Sequence, residues 1–180
     1  MRSSLNDKPG TLVKEEDMNM ESVVIRGVSL ERDQAKVTIS GVKDMPGVAA
    51  RIFGAISEKN LIIDMIVQNI SKTGVADISF TLNKADLDQA EAALKPVLPE
   101  LGEEVTMEAY GGIAKLSVVG IGMRSHSGVA AQMFSALSRE GINILMISTS
   151  EIKTAVIIGE TEIERGARIV HQAFGLESSL

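Results

Sequence analysis

Two stretches of this 180-residue sequence have the residue types and spacing to hold a small charged ligand: Asp44-Met45-Pro46-Gly47-Val48-Ala49 and Ser125-His126-Ser127-Gly128-Val129-Ala130. In each, a polar side chain precedes a glycine, and apolar residues then recur at helical spacing. These are Val48, Ile52, Ala55 and Ile56 in the first stretch and Val129, Met133, Ala136 and Leu137 in the second. A loop that turns into a helix N-terminus offers unpaired N–H donors and the positive end of the helix dipole, and the two together receive a carboxylate. Pro46 presets the turn, Gly47 lets the backbone approach closely, and the short Ala49 and Ala50 leave room. Asp44 is suited to an ammonium or a hydroxyl, and Gln68, further along, offers both donors and an acceptor. Taken alone, Asp-x-Pro-Gly is an ordinary helix start with the Asp capping N–H groups. Its recurrence as Ser125-x-Ser-Gly, with Val-Ala-Ala behind both, favours a ligand role.

The chemistry expected of these residues is recognition, not bond making. There is no Cys, so disulfides and thiolate catalysis are excluded, and His126 and His171 stand too far from other ligating residues to suggest a metal cage. No Gly-rich phosphate loop follows a strand. A formal charge of −6, one Tyr and no Trp argue against a nucleic-acid partner. No apolar run is long enough to cross a membrane or to act as a signal core, so the expected location is the cytoplasm.

The elements that must position these loops come from an internal repeat. An offset of 81 residues carries Asp44–Phe53 onto Ser125–Phe134 and, without a gap, Leu61–Asn69 onto Ile142–Ser150. Upstream, Lys36–Val42 matches Lys115–Ile121 once two residues are allowed in the second loop. Each copy reads as a strand (Val37–Val42, Lys115–Ile121), a helix, two strands joined by a polar turn, and a second helix. The paired strands are Leu61–Ile70 with Ala76–Leu82, and Asn143–Ile152 with Ala155–Ile158; the second helices are Leu87–Val97 and Ile163–Phe174. Glu104–Ala109 adds a last strand to the first copy, giving the α+β, ferredoxin-like βαββαβ order. The second copy lacks that strand, while Ser22–Val28 stands unpaired before the first. The N-terminal strand is therefore expected to complete the second sheet. This makes residues 34–110 one unit and residues 21–33 with 111–180 a discontinuous second, packed as one body, behind a loose tail at 1–20.

Four segments carry a resemblance to a known family. Lys43–Ala49, Ile63–Asn69, Arg124–Val129 and Ile147–Ile152 closely resemble the tandem ACT domains of aspartate kinase, and Arg2–Asn6 with Pro9–Leu12 look like the stretch that joins that family's kinase domain to its regulatory region. The resemblance implies an allosteric, effector-binding part of an enzyme that phosphorylates aspartate on the route to lysine, threonine and methionine. It implies a homodimer through ACT units with sheets side by side, a kinase domain or kinase-containing subunit as partner, no cofactor, and L-threonine or L-lysine as ligands. The family's Lys-Phe-Gly-Gly-Thr-Ser-like nucleotide motif is absent, so no catalytic site is expected in this chain. The chain is then either a separate small subunit begun at an internal start such as Met18 or Met20, or a piece of the longer enzyme.

The same resemblance implies two pockets. The first, for threonine, combines Asp44, Met45, Pro46, Gly47, Val48, Ala49 and Gln68 with Asn143 and Ile144 of another ACT unit. The second, for lysine or threonine, combines Ser125, Gly128, Val129, Ala130, Thr149, Ser150 and Glu151 with Ile62, Ile63 and Asp64. Glu151 and Asp64 are its candidate partners for a lysine ε-ammonium. Several lysine-sensing relatives have an acidic residue where this sequence has Leu145, which favours threonine at the first pocket over lysine at the second. Two other readings are a stand-alone ACT regulator of a different biosynthetic enzyme, such as acetolactate synthase, and an acylphosphatase-like enzyme. The latter needs a phosphate loop with paired Arg and Asn that Arg51 and Arg124 do not supply.

Overall fold

The computed structural model describes residues 24–71, 74–121 and 128–176. Two long strands form its spine, β1 (Val24–Lys43) and β4 (Thr106–Ile121). Each merges segments that the sequence presents as separate. β1 joins the N-terminal strand to the first strand of the first copy, and β4 joins the last strand of that copy to the first strand of the second. Along β1, Ser40 back to Gln34 pairs with Thr106–Ile113, and Glu31 back to Val24 pairs with Lys115–Ile121.

Around this spine lie α1 (Val48–Ser57), β2 (Ile63–Ile70), β3 (Val75–Asn83), α2 (Leu87–Leu94) and the short α3 (Leu98–Leu101). After β4 come α4 (Gly128–Arg139), β5 (Met146–Thr149), β6 (Lys153–Gly159) and α5 (Ile163–Ala173). The strands make one six-stranded sheet in the order β2-β3-β1-β4-β6-β5, antiparallel at every step. Two ferredoxin-like halves thus share one sheet, with β1 and β4 belonging to both. The N-terminal part of β1 takes the place of the strand that the second copy lacks.

Several local expectations shift. The helix expected over Leu87–Val97 ends at Leu94, because Pro96 removes a donor and the chain restarts as α3. The strand expected over Asn143–Ile152 shrinks to Met146–Thr149, because Ser150 and Lys153 close the hairpin and Lys153 already opens β6. The turn expected at Lys153-Thr154 therefore falls at 150–152. The last strand of the first copy begins at Thr106, since the chain still turns from Gly102 to Val105.

Alternation along the strands sends one side chain set to each face. Ala35, Val37, Ile39, Ile78, Phe80 and Leu82 meet Ile52, Ile56, Ala90 and Leu94 beneath α1 and α2. Ala114, Leu116, Val118, Val156 and Ile158 meet Val129, Met133, Leu137, Ile163 and Val170 beneath α4 and α5. The opposite face holds a smaller cluster of Met65, Ile113, Met146 and Ile157. Met65 lies on β2, three strands away from β4, so the sheet curls until its helix-free face meets itself. The bend is built at Asp33 (φ 54°) and Gly112 (φ 75°), where the β1–β4 register also slips.

At that meeting sits a charge. Lys115 is buried, its ammonium 2.8 Å from Glu31 and 2.5 Å from Asp64. Burial pushes the Lys115 pKa down, but hydrogen bonds to Asp64 and Glu31 outweigh it and hold the group above its ordinary value. A raised folded-state value means that this contribution to stability is complete below the unfolded-state pKa and is lost as pH climbs through the folded one. The melting-temperature gap between wild type and Lys115→Met is therefore expected to stay constant from about pH 7 to about pH 9 and to narrow above about pH 10.5, as thermal melts across that range will register. In the first core, Phe80 is fully buried and stacks edge-on against Phe53 with centroids 5.5 Å apart. Phe80→Ala should cost about 3–5 kcal/mol in urea denaturation.

Candidate functional site

β1 ends at Lys43, and the Asp44 N–H donates to the Gly74 carbonyl at 3.0 Å, tying the loop after β1 to the tip of the β2–β3 hairpin. Gly47 then adopts φ +96°, a left-handed conformation that a side chain resists, and α1 starts at Val48. Gly47 occupies the N-cap position itself, so the first turn of α1 has no capping side chain, and Asp44, three residues earlier, is not the cap. Asp44, Met45, Pro46, Gly47 and Ala49 are exposed, while Val48 turns partly inward onto the first core.

Gln68 reaches the same end of the sheet by register. It pairs with Ile78, and directly opposed residues in an antiparallel ladder share a face. Ile78 faces α1 and α2, so Gln68 lies on the face that carries α1, at the exposed outer edge. Two residues on, Ile70 pairs with Ala76, which also pairs with Val42, close to where the loop begins. The structure therefore brings the loop, the α1 N-terminus and the Gln68 edge to one end of the first half. Asn143 is exposed just before β5, and Ile144 packs on the second core, so these two members of the proposed pocket belong to the other half.

The described part of the second half has a similar tie between strand end and hairpin. The Gly120 N–H donates to the Ile152 carbonyl at 2.9 Å, tying the end of β4 to the β5–β6 hairpin, and α4 begins at Gly128 with Val129 buried and Ala130 half-buried. Ser125 lies outside the described residues. Thr149 closes β5 opposite Thr154. Ser150 is occupied in the turn, its N–H donating to the Lys153 carbonyl at 2.7 Å and its hydroxyl to the same oxygen at 3.3 Å. Glu151 is exposed at the hairpin tip.

Ile62, Ile63 and Asp64 line a cleft of about 510 Å³ together with Glu31, Gln34, Leu82, Asn83 and Asp86. Neither Thr149, Ser150 nor Glu151 contributes to it. Asp64 is already engaged by the Lys115 ammonium. Lys115 and Glu31 are the residues that the sequence reading passed over. The available signal was a lysine leading the apolar alternation Lys115-Leu116-Ser117-Val118, a charge that a strand buried on both faces can hold only when paired. Among the described residues no group of three or more His, Cys, Asp or Glu is arranged to hold a metal. No helix there is long and apolar enough to cross a membrane.

With this geometry in view, a family model described as ACT domain matches residues 37–97 and 116–174. The aspartate kinase of Pseudomonas fluorescens is 48% identical over 177 residues, covering 97% of this chain and 42% of that protein. The chain thus spans less than half the length of such relatives. Among solved structures, the ligand-free regulatory subunit of aspartate kinase from Thermus thermophilus is 40% identical with a TM-score of 0.78, covering 83% of this chain and 98% of that one. A structure of aspartokinase alpha and beta subunits is 42% identical with a TM-score of 0.78, covering 84% of this chain and 99% of the matched one. The chain therefore belongs to the ACT-domain family, in the branch that forms the regulatory part of aspartate kinases.

Proposed function

We propose that this chain binds an aspartate-family amino acid for feedback control of an aspartate kinase, with threonine at the first pocket and lysine or threonine at the second. The observation that carries it is the uncapped start of α1, opened by the left-handed Gly47, with exposed Asp44 beside it and Gln68 on the same face. A threonine carboxylate would take the N–H groups of Ala49 and Ala50 in the first helical turn, its ammonium would meet Asp44, and its hydroxyl would meet the Gln68 amide. Asn143 and Ile144 of another ACT unit would close the pocket. The second pocket would repeat this at Ser125 and Gly128–Ala130, with Thr149, Ser150 and Glu151 on one side and Ile62, Ile63 and Asp64 on the other. The functional units would be residues 34–110 and residues 21–33 with 111–180.

The assembly we propose is a cytoplasmic homodimer. Among the described residues both edges of the sheet are open, β2 with Ile66 and Ile70 exposed and β5 with Ile147 exposed, as is Ile152 in the turn that follows. Open edges of this kind either pair with another chain or are blocked by charge, and here Asp64 is the single charged residue on the two edge strands. A ligand that binds only the assembled arrangement shifts that equilibrium by mass action, and a kinase domain or kinase-bearing subunit docked on it would feel the shift. A coupling of about 1–3 kcal/mol is enough for regulation.

Isothermal titration with threonine, then lysine, singly and together, tests the ligand. Threonine is expected to bind, and Asp44→Ala and Gln68→Ala should each weaken it by roughly tenfold or more, the loss of a hydrogen bond to a charged or buried group being about 1–3 kcal/mol. Absence of heat with every aspartate-family amino acid would rule out the sensing role. For the assembly, light scattering should give the mass of two chains for wild type, and Ile70→Asp or Ile147→Asp should shift it toward one.

A further inference from the structure

The strand β2 carries Gln68 toward one end and opens at the other with Ile63 and Asp64, just after Ile62, yet its own ladder cannot hold its first half. Among the described residues it is the outermost strand and pairs only with β3. Ile63 pairs with Leu82 and Ile66 with Phe80, so Asp64 and Met65 together face the single residue Thr81 in a bulge. Three other contacts hold the bulge. The Met65 N–H donates to the Thr81 hydroxyl at 3.2 Å. The Met65 side chain packs with Ile113, Met146 and Ile157 of the second half. The Asp64 carboxylate accepts from Lys115 on β4 at 2.5 Å.

Lys115 has little freedom to do otherwise. It is 2% exposed, and its neighbour across the β1–β4 ladder is Glu31, whose carboxylate is 2.8 Å from the ammonium. A buried ammonium must stay paired, so its position dictates where Asp64 can lie. Because the bulge turns Asp64 and Met65 toward the second half, this ion cluster joins the edge strand of one ACT half to the sheet of the other.

We propose that Lys115 is a positioning residue for the second effector pocket: it touches no effector, and through Asp64 it sets the Ile62–Asp64 segment that forms one lip of that pocket. The assignment of the lip rests on the effector-binding role argued above; the positioning of the bulge by Lys115 does not. Removing the charge would free the lip while the Ile66–Ile70 ladder, and with it Gln68 and the first pocket, stays in register.

The test combines hydrogen exchange with titration, on wild type, Lys115→Met and Lys115→Arg. In Lys115→Met the amides of Asp64 and Met65 should exchange about tenfold faster or more, with α1 and α4 unchanged, and Lys115→Arg should restore much of the protection. Heats from the second site, and any synergy between lysine and threonine, should weaken in Lys115→Met while the heat that depends on Asp44 persists. Exchange in β2 equal to wild type, or faster exchange spread evenly over the whole chain, would overturn the positioning role. Should Lys115→Met not fold, Asp64→Asn removes the same ion pair while keeping its shape and must give the same local change. A wild type that takes up no amino acid would defeat the sensing role and leave the exchange result to decide the positioning one.

Discussion

The antiparallel ladder between β1 and β4 is the constraint on which the rest of the molecule hangs. Each ferredoxin-like half needs four strands to bury the apolar faces of its two helices, and each half has only two of its own, β2 with β3 and β5 with β6. The other two come from opposite ends of the same pair of long strands, so neither half is complete without the other. Main-chain hydrogen bonds run along nearly the whole of β1, from Val24 to Ser40. A hinge at the middle would leave buried donors and acceptors without partners. The two units, expected from the repeat to pack as one body, are therefore joined more tightly still, through a common sheet with a bend where Asp33 and Gly112 allow it.

That sharing explains where the proposed effector-binding segments lie. In the first half the loop follows the end of β1 and is tied by a backbone bond from Asp44 to Gly74 at the tip of the adjoining hairpin, and in the second the end of β4 itself is tied from Gly120 to Ile152. The helix start is thus presented at a strand end, beside an open sheet edge. Under the effector-binding role proposed above, this placement would suit a ligand that bridges a helix N-terminus and a neighbouring ACT unit.

The bend brings the helix-free face of the second half against β2, and this contact combines an apolar patch with a buried ion cluster. Met65 and Met146, equivalent residues of the two copies, meet in one cluster near Ile113 and Ile157. Methionine suits a contact where two similar surfaces must adapt to one another. The charge does something that the apolar patch cannot. Hydrophobic contact tolerates sliding, whereas a buried ammonium between two carboxylates has few acceptable positions. The joint between the halves is soft in packing and directional in charge.

The repeat, the order of elements within each copy and the core positions were legible in the sequence because they depend on near neighbours. Val48, Ile52 and Ile56 declare a helix by spacing alone, and Pro46-Gly47 marks its start through the backbone angles those residues permit. The ACT resemblance was legible for the same reason, being carried by short contiguous segments. The merging of strands, the shortening of β5 to Met146–Thr149 and the pairing of Lys115 with Asp64 and Glu31 were decided only by the tertiary structure. Each depends on which residues, 50 or more positions apart in the case of Lys115 and Asp64, stand opposite one another once the sheet has curled. Register across such separations is set by the whole packed sheet; the pattern around Lys115 signals that the charge needs a partner, but not that Asp64 and Glu31 supply it.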